Sequence, residues 1–455
     1  MPAPAGAQAL REVLVNTYLT NPQIEADRAR QRALDDDVAR ALGGWRPQAV
    51  LTAEQGRGHD VQDFHATTQP FPQAAYTIHE YRTPETLLLQ IQQSIYDGGR
   101  TSADVRHSEI VVESGLAQMV SVEQGVLGQA TQAYYDLYRD QSILALARQN
   151  VTWLEDQVKA THARYAVKDV TQTDVAQAEA RLAGAQSDLT TAEGTVATSR
   201  SAFIAATGIE PGQLPAPPPP PRDRLPAALA DAQRLAQSSP DLRAAILAAR
   251  AAEADVDSVA SGLSPTLALR GTSRRLSQSD EANLTRTDNE VVLSLSIPLY
   301  EGGVYAARTR GAKQVAGQRR LEIDQARRRA VDQVNRAWAQ LMSAQASIRS
   351  LTEQVRAAQV ANKGMEKELR AGTRTVYDQL NAQQEEMNAK IGLLRSQHDE
   401  VVASYALLVA VGGLTASNLG LPVQVYDPSV HYEKVRNTWF GTGIDESYET
   451  PPMAD

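Results

Sequence analysis

Two hydrophobic periodicities alternate along this chain, and each occurs twice. In residues 85–96, Leu87, Leu89, Ile91 and Ile95 share one face, while Gln90, Gln92 and Ser94 share the other. Residues 289–299 repeat the pattern, with Val291, Leu293, Leu295, Ile297 and Leu299 opposite Ser294 and Ser296. A period of two is that of an extended strand with one apolar and one polar face. Weaker alternation predicts two more strands. One covers 47–56, where Ala49, Leu51 and Ala53 alternate with Val50, Thr52 and Glu54; the other covers 265–275, where Leu267 and Leu269 take the places of Ala49 and Leu51. Each strand pair is followed by a period of about three and a half. Val151, Leu154, Val158, Thr161 and Tyr165 step by three and four, as do Val331, Val334, Trp338, Leu341, Gln345 and Ile348. No proline interrupts residues 303–371, so one helix of roughly 100 Å is expected there at 1.5 Å per residue. The long helices break at Val167, Lys168, Asp169, Val170 and at Ala371, Gly372, Thr373, Arg374, and a second helix then returns to Gly208 or Gly412. Each half is expected to be an antiparallel helical hairpin attached to a strand pair. Ahead of the first strand, residues 10–42 read as one helix packing through Leu10, Val13, Leu14, Ile24, Leu34 and Val38, with Gly43 and Gly44 as its stop. Residues 56–83, rich in Gly, His, Asp, Thr, Gln and Pro, read as a long exposed loop.

The halves are copies. Tyr96, Asp97, Gly98, Gly99 align with Tyr300, Glu301, Gly302, Gly303 at a shift of 204, and the same shift carries Asp174 onto Asp378, Ala178 onto Ala382 and Gly208 onto Gly412. Upstream, Asn21 and Pro22 match Ser239 and Pro240, and Arg46 and Pro47 match Ser264 and Pro265, at a shift of 218. The difference assigns 14 extra residues to the first copy between Pro47 and Tyr96. The resulting division is a first repeat over 8–212, a linker over 213–224, a second repeat over 225–420, and a C-terminal segment and tail over 421–455. Five consecutive prolines at 217–221 make the linker a stiff extended spacer. Tyr432, Trp439 and Phe440 are placed to pack a short element on the main body.

Composition narrows the function. Aromatic residues make up 5% of the chain, and the long tracts of Ala, Gln, Arg, Glu, Val and Leu are those of extended helices and coiled coils. With zero cysteines there is no disulfide scaffold and no thiolate chemistry, which suits an oxidising compartment. A net charge of -9 argues against nucleic acid, which requires a basic face. No apolar run approaches 18 residues, so a membrane role requires a β-barrel. Met1, Pro2, Ala3, Pro4, Ala5 and Gly6 carry no charged-then-apolar signal, leaving a processed or engineered start open. No phosphate loop, zinc-protease helix or nucleophile–base set is present.

Four amphipathic strands cannot close in lipid, where open edges are excluded and small barrels need about eight strands. Other chains must complete them. At this point the sequence resembles the TolC family of outer-membrane channel proteins. The likeness is carried by the duplication, the Tyr-Asp/Glu-Gly-Gly junctions, the run Ala371, Gly372, Thr373, Arg374, Thr375, Val376, Tyr377, Asp378, Gln379, Leu380, Asn381, Ala382, and the late Tyr426, Asp427, Pro428. The resemblance implies a mainly α chain with a transmembrane β-barrel. In such a homotrimer, four strands per chain build a shared twelve-stranded barrel in the outer membrane of a Gram-negative bacterium, continued by a long periplasmic α-helical barrel. It implies a passive, gated exit duct for type I protein secretion or multidrug efflux, without cofactor or bond chemistry. A periplasmic membrane-fusion adaptor and an inner-membrane transporter of the ABC or RND type would be its partners.

By the same resemblance, Thr173, Asp174 and Arg374 hold the positions of a polar link that closes the gate, and Asp378 and Asn381 those of the pore constriction. Val167, Lys168, Asp169, Ala371, Gly372 and Thr373 form the adaptor-facing tips. The sequence departs from the family's pattern at Leu369, where a tyrosine of the link is usual, at Asn381, where a second acid is usual, and at Lys168, where a glycine is usual. Without the family, Asp378 reads as a solvated helix acid, and Arg374 as the start of a helix. Asp97 and Glu301 read as helix-start residues, and Tyr96, Tyr300 and Trp45 as an interfacial aromatic belt or ordinary packing. His59, Asp60, Asp63 and His65 carry metal-type side chains but fall in the polar loop, so no metal is expected. The competing class is a periplasmic coiled-coil adaptor or scaffold with its strands packed as a small sandwich. An enzyme is the weakest of the three readings, because heptads spread the core along a rod.

Overall fold

The first helix ends at a proline. A computed structural model, which describes residues 9–66, 73–212, 214–279 and 284–444, splits the helix expected over 10–42 into α1 (Leu10–Thr20) and α2 (Pro22–Leu42). Pro22 has no amide hydrogen to extend α1 but is well suited to begin α2. Asn21 between them is extended, at φ -72 and ψ 122, and its Oδ1 accepts from the Gln23 amide at 2.9 Å. The outset of the first repeat at residue 8, Gln213 of the linker and the tail beyond 444 lie outside the described residues.

The strands are β1 (Gln48–Gln55), β2 (Gly58–Phe64), β3 (Tyr76–Arg82), β4 (Glu85–Tyr96), β5 (Thr266–Ser277) and β6 (Thr285–Ser296). Four of them form one antiparallel sheet in the order β1-β4-β5-β6, so the central pairing joins the first half of the chain to the second. The long loop expected over 56–83 is instead largely a hairpin of β2 and β3, with His59 opposite Tyr81 and Val61 opposite His79. Cross-strand stacking holds it, with Phe64 on Tyr76 at 4.7 Å and His59 on Tyr81 at 4.3 Å between ring centroids. The described residues thus contain six strands rather than four, although only four build the main sheet.

In the main sheet the usual sense of burial is reversed. Leu51, Leu87, Leu89, Ile91, Leu269, Val291, Leu293 and Leu295 are exposed, while Gln90, Gln92 and Ser94 are half-buried. The register lays Leu51 beside Leu89 and Leu269 beside Leu293, on one face. β4, β5 and β6 each have 12 residues, enough for a tilted strand to cross a bilayer, which takes about 9–11.

The helices are α3 (Arg100–Ala166), α4 (Gln172–Thr207), α5 (Leu229–Ala236), α6 (Pro240–Ala260), α7 (Val304–Arg370), α8 (Val376–Ala410), α9 (Ala416–Leu419) and α10 (Ser429–Val435). α3 and α7 have 67 residues each and continue the strand pairs as the sequence predicts. The chain divides into two units. One holds Met1–Arg32, Glu113–Ile246 and Leu321–Pro428; the other holds Ala33–Val112, Leu247–Arg320 and Ser429–Asp455, and includes both sheets.

The first unit packs through heptads. On α4, Ala178, Ala185, Ala192 and Ser199 are buried at intervals of seven. On α7 the buried stripe is Ala330, Val334, Ala337, Leu341 and Ala344, one position away from the expected Val331, Trp338 and Gln345, which are only half-buried. Alanine takes the seam because helices that approach closely leave no room for larger side chains, which move to its flanks. Below the linker, Tyr134, Phe203, Leu127, Leu137, Leu408 and Leu414 belong to the largest core cluster. The prolines are fastened to this unit: the Tyr135 hydroxyl donates to the Pro218 carbonyl at 2.9 Å, and Arg222 pairs with the buried Glu400 at 2.7 Å.

Candidate functional site

The two hairpin turns are built alike. After α3 the Lys168 amide donates to the Tyr165 carbonyl and the Asp169 amide to the Arg164 carbonyl; after α7 the Gly372 amide donates to Leu369 and the Thr373 amide to Glu368. This pair of bonds closes a helix with a left-handed residue, and Lys168 (φ 62) and Gly372 (φ 75) take that position. Val167, Lys168, Asp169, Ala371, Gly372 and Thr373 are all exposed.

The return helices begin alike too. The Thr171 hydroxyl accepts from the Asp174 amide at 3.2 Å while the Asp174 carboxylate accepts from the Thr171 amide at 2.8 Å. Thr375 and Asp378 make the same reciprocal pair, at 3.2 and 3.1 Å. These are capping boxes, and they give Asp174 and Asp378 a local task at the start of α4 and α8. Hydrogen bonds from the Thr375 amide and hydroxyl, with the Arg374 charge nearby, hold the Asp378 carboxyl below its ordinary value of 3.8. Thr-x-x-Asp is the sequence signature of such a start, and reading Asp378 as a solvated helix acid passes over it.

Within a single chain Arg374 is not brought to Thr173 or Asp174. Its Nε lies 2.9 Å from Glu368 Oε2 in its own turn. Thr173 is exposed, one residue before Asp174. The two hairpins meet elsewhere. Leu369, Val376 and Leu380 of the second form a buried cluster with Val151, Leu154, Ala178 and Ala185 of the first. Above it Arg181 donates to Asn381 Oδ1 at 2.8 Å. Asn362 accepts from Gln379 at 2.8 Å and donates to Glu386 at 2.6 Å. Leu369 thus spends its side chain on packing where the resemblance expects a tyrosine hydroxyl, and Asn381 is engaged by an arginine. Arg181, Asn362 and Glu368 carried no motif that could have singled them out.

The strand–helix junctions are defined by backbone geometry. Asp97 accepts from the Gly99 amide at 3.1 Å, the Thr101 amide at 2.8 Å and the Thr101 hydroxyl, capping α3. Gly98 is obligatory: its φ is +74, and a Cβ there would lie 2.7 Å from the Ser264 Cβ and 2.8 Å from the Ser261 carbonyl oxygen. In the second copy Gly302 and Gly303 have φ values of +62 and +78, and the Glu301 carbonyl accepts from the Val304 amide at 3.2 Å. Tyr96 and Tyr300 are exposed at the strand ends. On the β2–β3 hairpin His59 and Asp63 share one face, four residues apart, with His59 stacked on Tyr81 and Asp63 accepting from Thr77, while Asp60 lies on the other face and pairs with Arg82.

The family described as Outer membrane efflux protein matches residues 13–209 and 232–413, one segment for each repeat. The chain belongs to this family. Outer membrane efflux protein BepC of Brucella suis is 33% identical over 437 residues, covering 96% of this chain and 92% of that protein. Outer membrane protein TolC of Vibrio cholerae is 25% identical over 313 residues, with 67% and 71% covered. The crystal structure of the Campylobacter jejuni CmeC outer membrane channel superposes with a TM-score of 0.79 at 13% identity, over 97% of this chain and 90% of that one. The fold is therefore TolC-like. As an outer membrane efflux protein the chain is located in the outer membrane and serves as the exit duct of an export system. The exposed apolar face of its sheet suits that place, and the adaptor reading falls away.

Proposed function

We propose that three copies of this outer membrane efflux protein close into a twelve-stranded barrel continued by a helical tunnel, and that the tunnel is gated at the hairpin ends. The observation that carries this reading is the pair of open edges on a sheet whose apolar side faces outward. Among the described residues β1 and β6 each have one neighbour, and lipid tolerates no unpaired edge. Joining β6 of one copy to β1 of the next satisfies both edges.

In this assembly Asp378, repeated by threefold symmetry with Asn381 beside it, makes an acidic ring that attracts cations. Arg374, with Thr173 and Asp174, forms the closing link between neighbouring hairpins. In the free chain Glu368 holds Arg374, and exchanging one exposed carboxylate for another involves little free energy, as a gate requires. The tips at Val167, Lys168, Asp169, Ala371, Gly372 and Thr373 receive a periplasmic adaptor, which couples the duct to an inner-membrane transporter. No residue performs bond chemistry, and cargo moves passively.

The test is the protein mass of the detergent-extracted particle by light scattering. Three times 49.3 kDa is expected. A monomer or dimer that stays soluble without detergent would overturn the shared barrel.

A further inference from the structure

We propose that the C-terminal segment carrying Trp439 and Phe440 is a lipid anchor, seated in the headgroup region of the periplasmic leaflet beside the root of β1. This inference rests on the membrane reading of the main sheet.

The chain has four Trp and four Phe, yet two of these eight are adjacent here and both face outward. Phe440 is 89% exposed and Trp439 57%, and Ile444 beyond them is also exposed. None belongs to the buried hydrophobic clusters among the described residues. The segment is nonetheless held in place. Arg436 of the turn after α10 pairs with Glu109 at 2.8 Å, and the Arg46 guanidinium donates to the Thr438 carbonyl at 2.6 Å while lying over the Trp439 ring at 4.9 Å. A segment fixed at two points, with its largest apolar side chains turned outward, has the form of a docking element.

Its position identifies the occupant. Arg46 stands two residues before β1, and the neighbouring Trp45 carbonyl accepts from Gln93 of β4 at 2.7 Å. At this end of the sheet Gln48 pairs with Gln92 and Thr266 with Ser296, and here the strands give way to the helical segments that the tunnel assigns to the periplasm. The exposed apolar face formed by Leu51, Leu89, Ile91, Leu293 and Leu295 runs toward Ile297, Leu299 and Tyr300, so the aromatic pair extends a surface already meant for lipid. Indole and guanidinium stacked together suit the boundary layer, where an apolar body meets acyl chains and a polar rim meets phosphate and water.

The absence of cysteine permits a direct test. A nitroxide is attached to Phe440→Cys in the full-length protein in phosphatidylethanolamine and phosphatidylglycerol vesicles, with Leu293→Cys as the membrane reference and the solvated Lys159→Cys as the aqueous one. The expected result is a ratio of oxygen to nickel-chelate accessibility several-fold above that at 159 and on the side of 293. A label at 440 as open to the nickel chelate as that at 159 overturns the anchor. So does a label shielded from both reagents, which places a second copy of the chain over the segment. If the label at 293 fails to report lipid, the membrane reading of the sheet fails first and the anchor with it.

Discussion

Lys168 and Gly372 hold the same place in two matching turns and differ in what the left-handed conformation demands of them. An L side chain there is strained by roughly 1–2 kcal/mol, part of which a glycine returns through its larger unfolded-state entropy. Lys168→Gly is therefore expected to stabilise the first turn by about 0.5–1 kcal/mol, measured as slower amide exchange in residues 165–171. Faster exchange would mean that the lysine side chain makes contacts in the assembly that outweigh the strain. Asp378 bears on conduction. Asp378→Asn keeps an oxygen for the Thr375 amide while removing the charge, so block of single-channel current by divalent cations should weaken; block at full strength would move the acidic ring elsewhere. Within one chain the Thr375 hydrogen bonds and the Arg374 charge hold its carboxyl below the ordinary value, so it is charged at neutral pH, and block in the parent protein should fade as acidification protonates it. The stability this carboxylate lends to α8 has the same sign: present above the unfolded pKa, and lost as pH falls through the folded one.

At the scale of elements, the strongest prediction concerns β6. Leu293 is on the outward face and Ser294 on the other, so Leu293→Arg is expected to destabilise the inserted barrel by about 2–4 kcal/mol and Ser294→Arg much less, read from denaturant midpoints in lipid. Equal effects at the two positions would remove the inside–outside distinction. The alternation behind this prediction was legible in the sequence because one face is apolar throughout, as were both 67-residue helices and the turns between them. The β2–β3 hairpin was not. His59, Asp60, Val61, Gln62 and Asp63 present mixed character on both faces, and the hairpin stands on cross-strand stacking that single-chain periodicity does not register. On α7, Val334 and Leu341 are buried as expected, but Val331, Trp338 and Gln345 were placed one residue off the seam for a related reason. Hydrophobicity ranks Val331 and Trp338 above Ala330 and Ala337, whereas close helix packing ranks them by size.

For the whole molecule, the duplication could be followed from one glycine pair to the next, and the matched family segments fall on the two repeats. What joins the halves was hidden. Arg181 and Asn381 stand 200 residues apart and share no motif, and the grip of Tyr135 and Arg222 on the proline linker depends on a carbonyl and on a buried acid that composition does not reveal. The pairing of β4 with β5 has a further consequence. Each half supplies one strand pair, so the proposed barrel is a ring of six pairs with six seams. Three of those seams, β4 to β5, lie within a chain and re-form at a rate independent of concentration. The other three, β6 to β1, lie between chains and obey mass action. Dilution in detergent should therefore open alternate seams only, releasing whole chains with β4 and β5 still paired, and the thermal midpoint should rise with protein concentration. A midpoint that ignores concentration would mean that the ring opens at the seams within the chains.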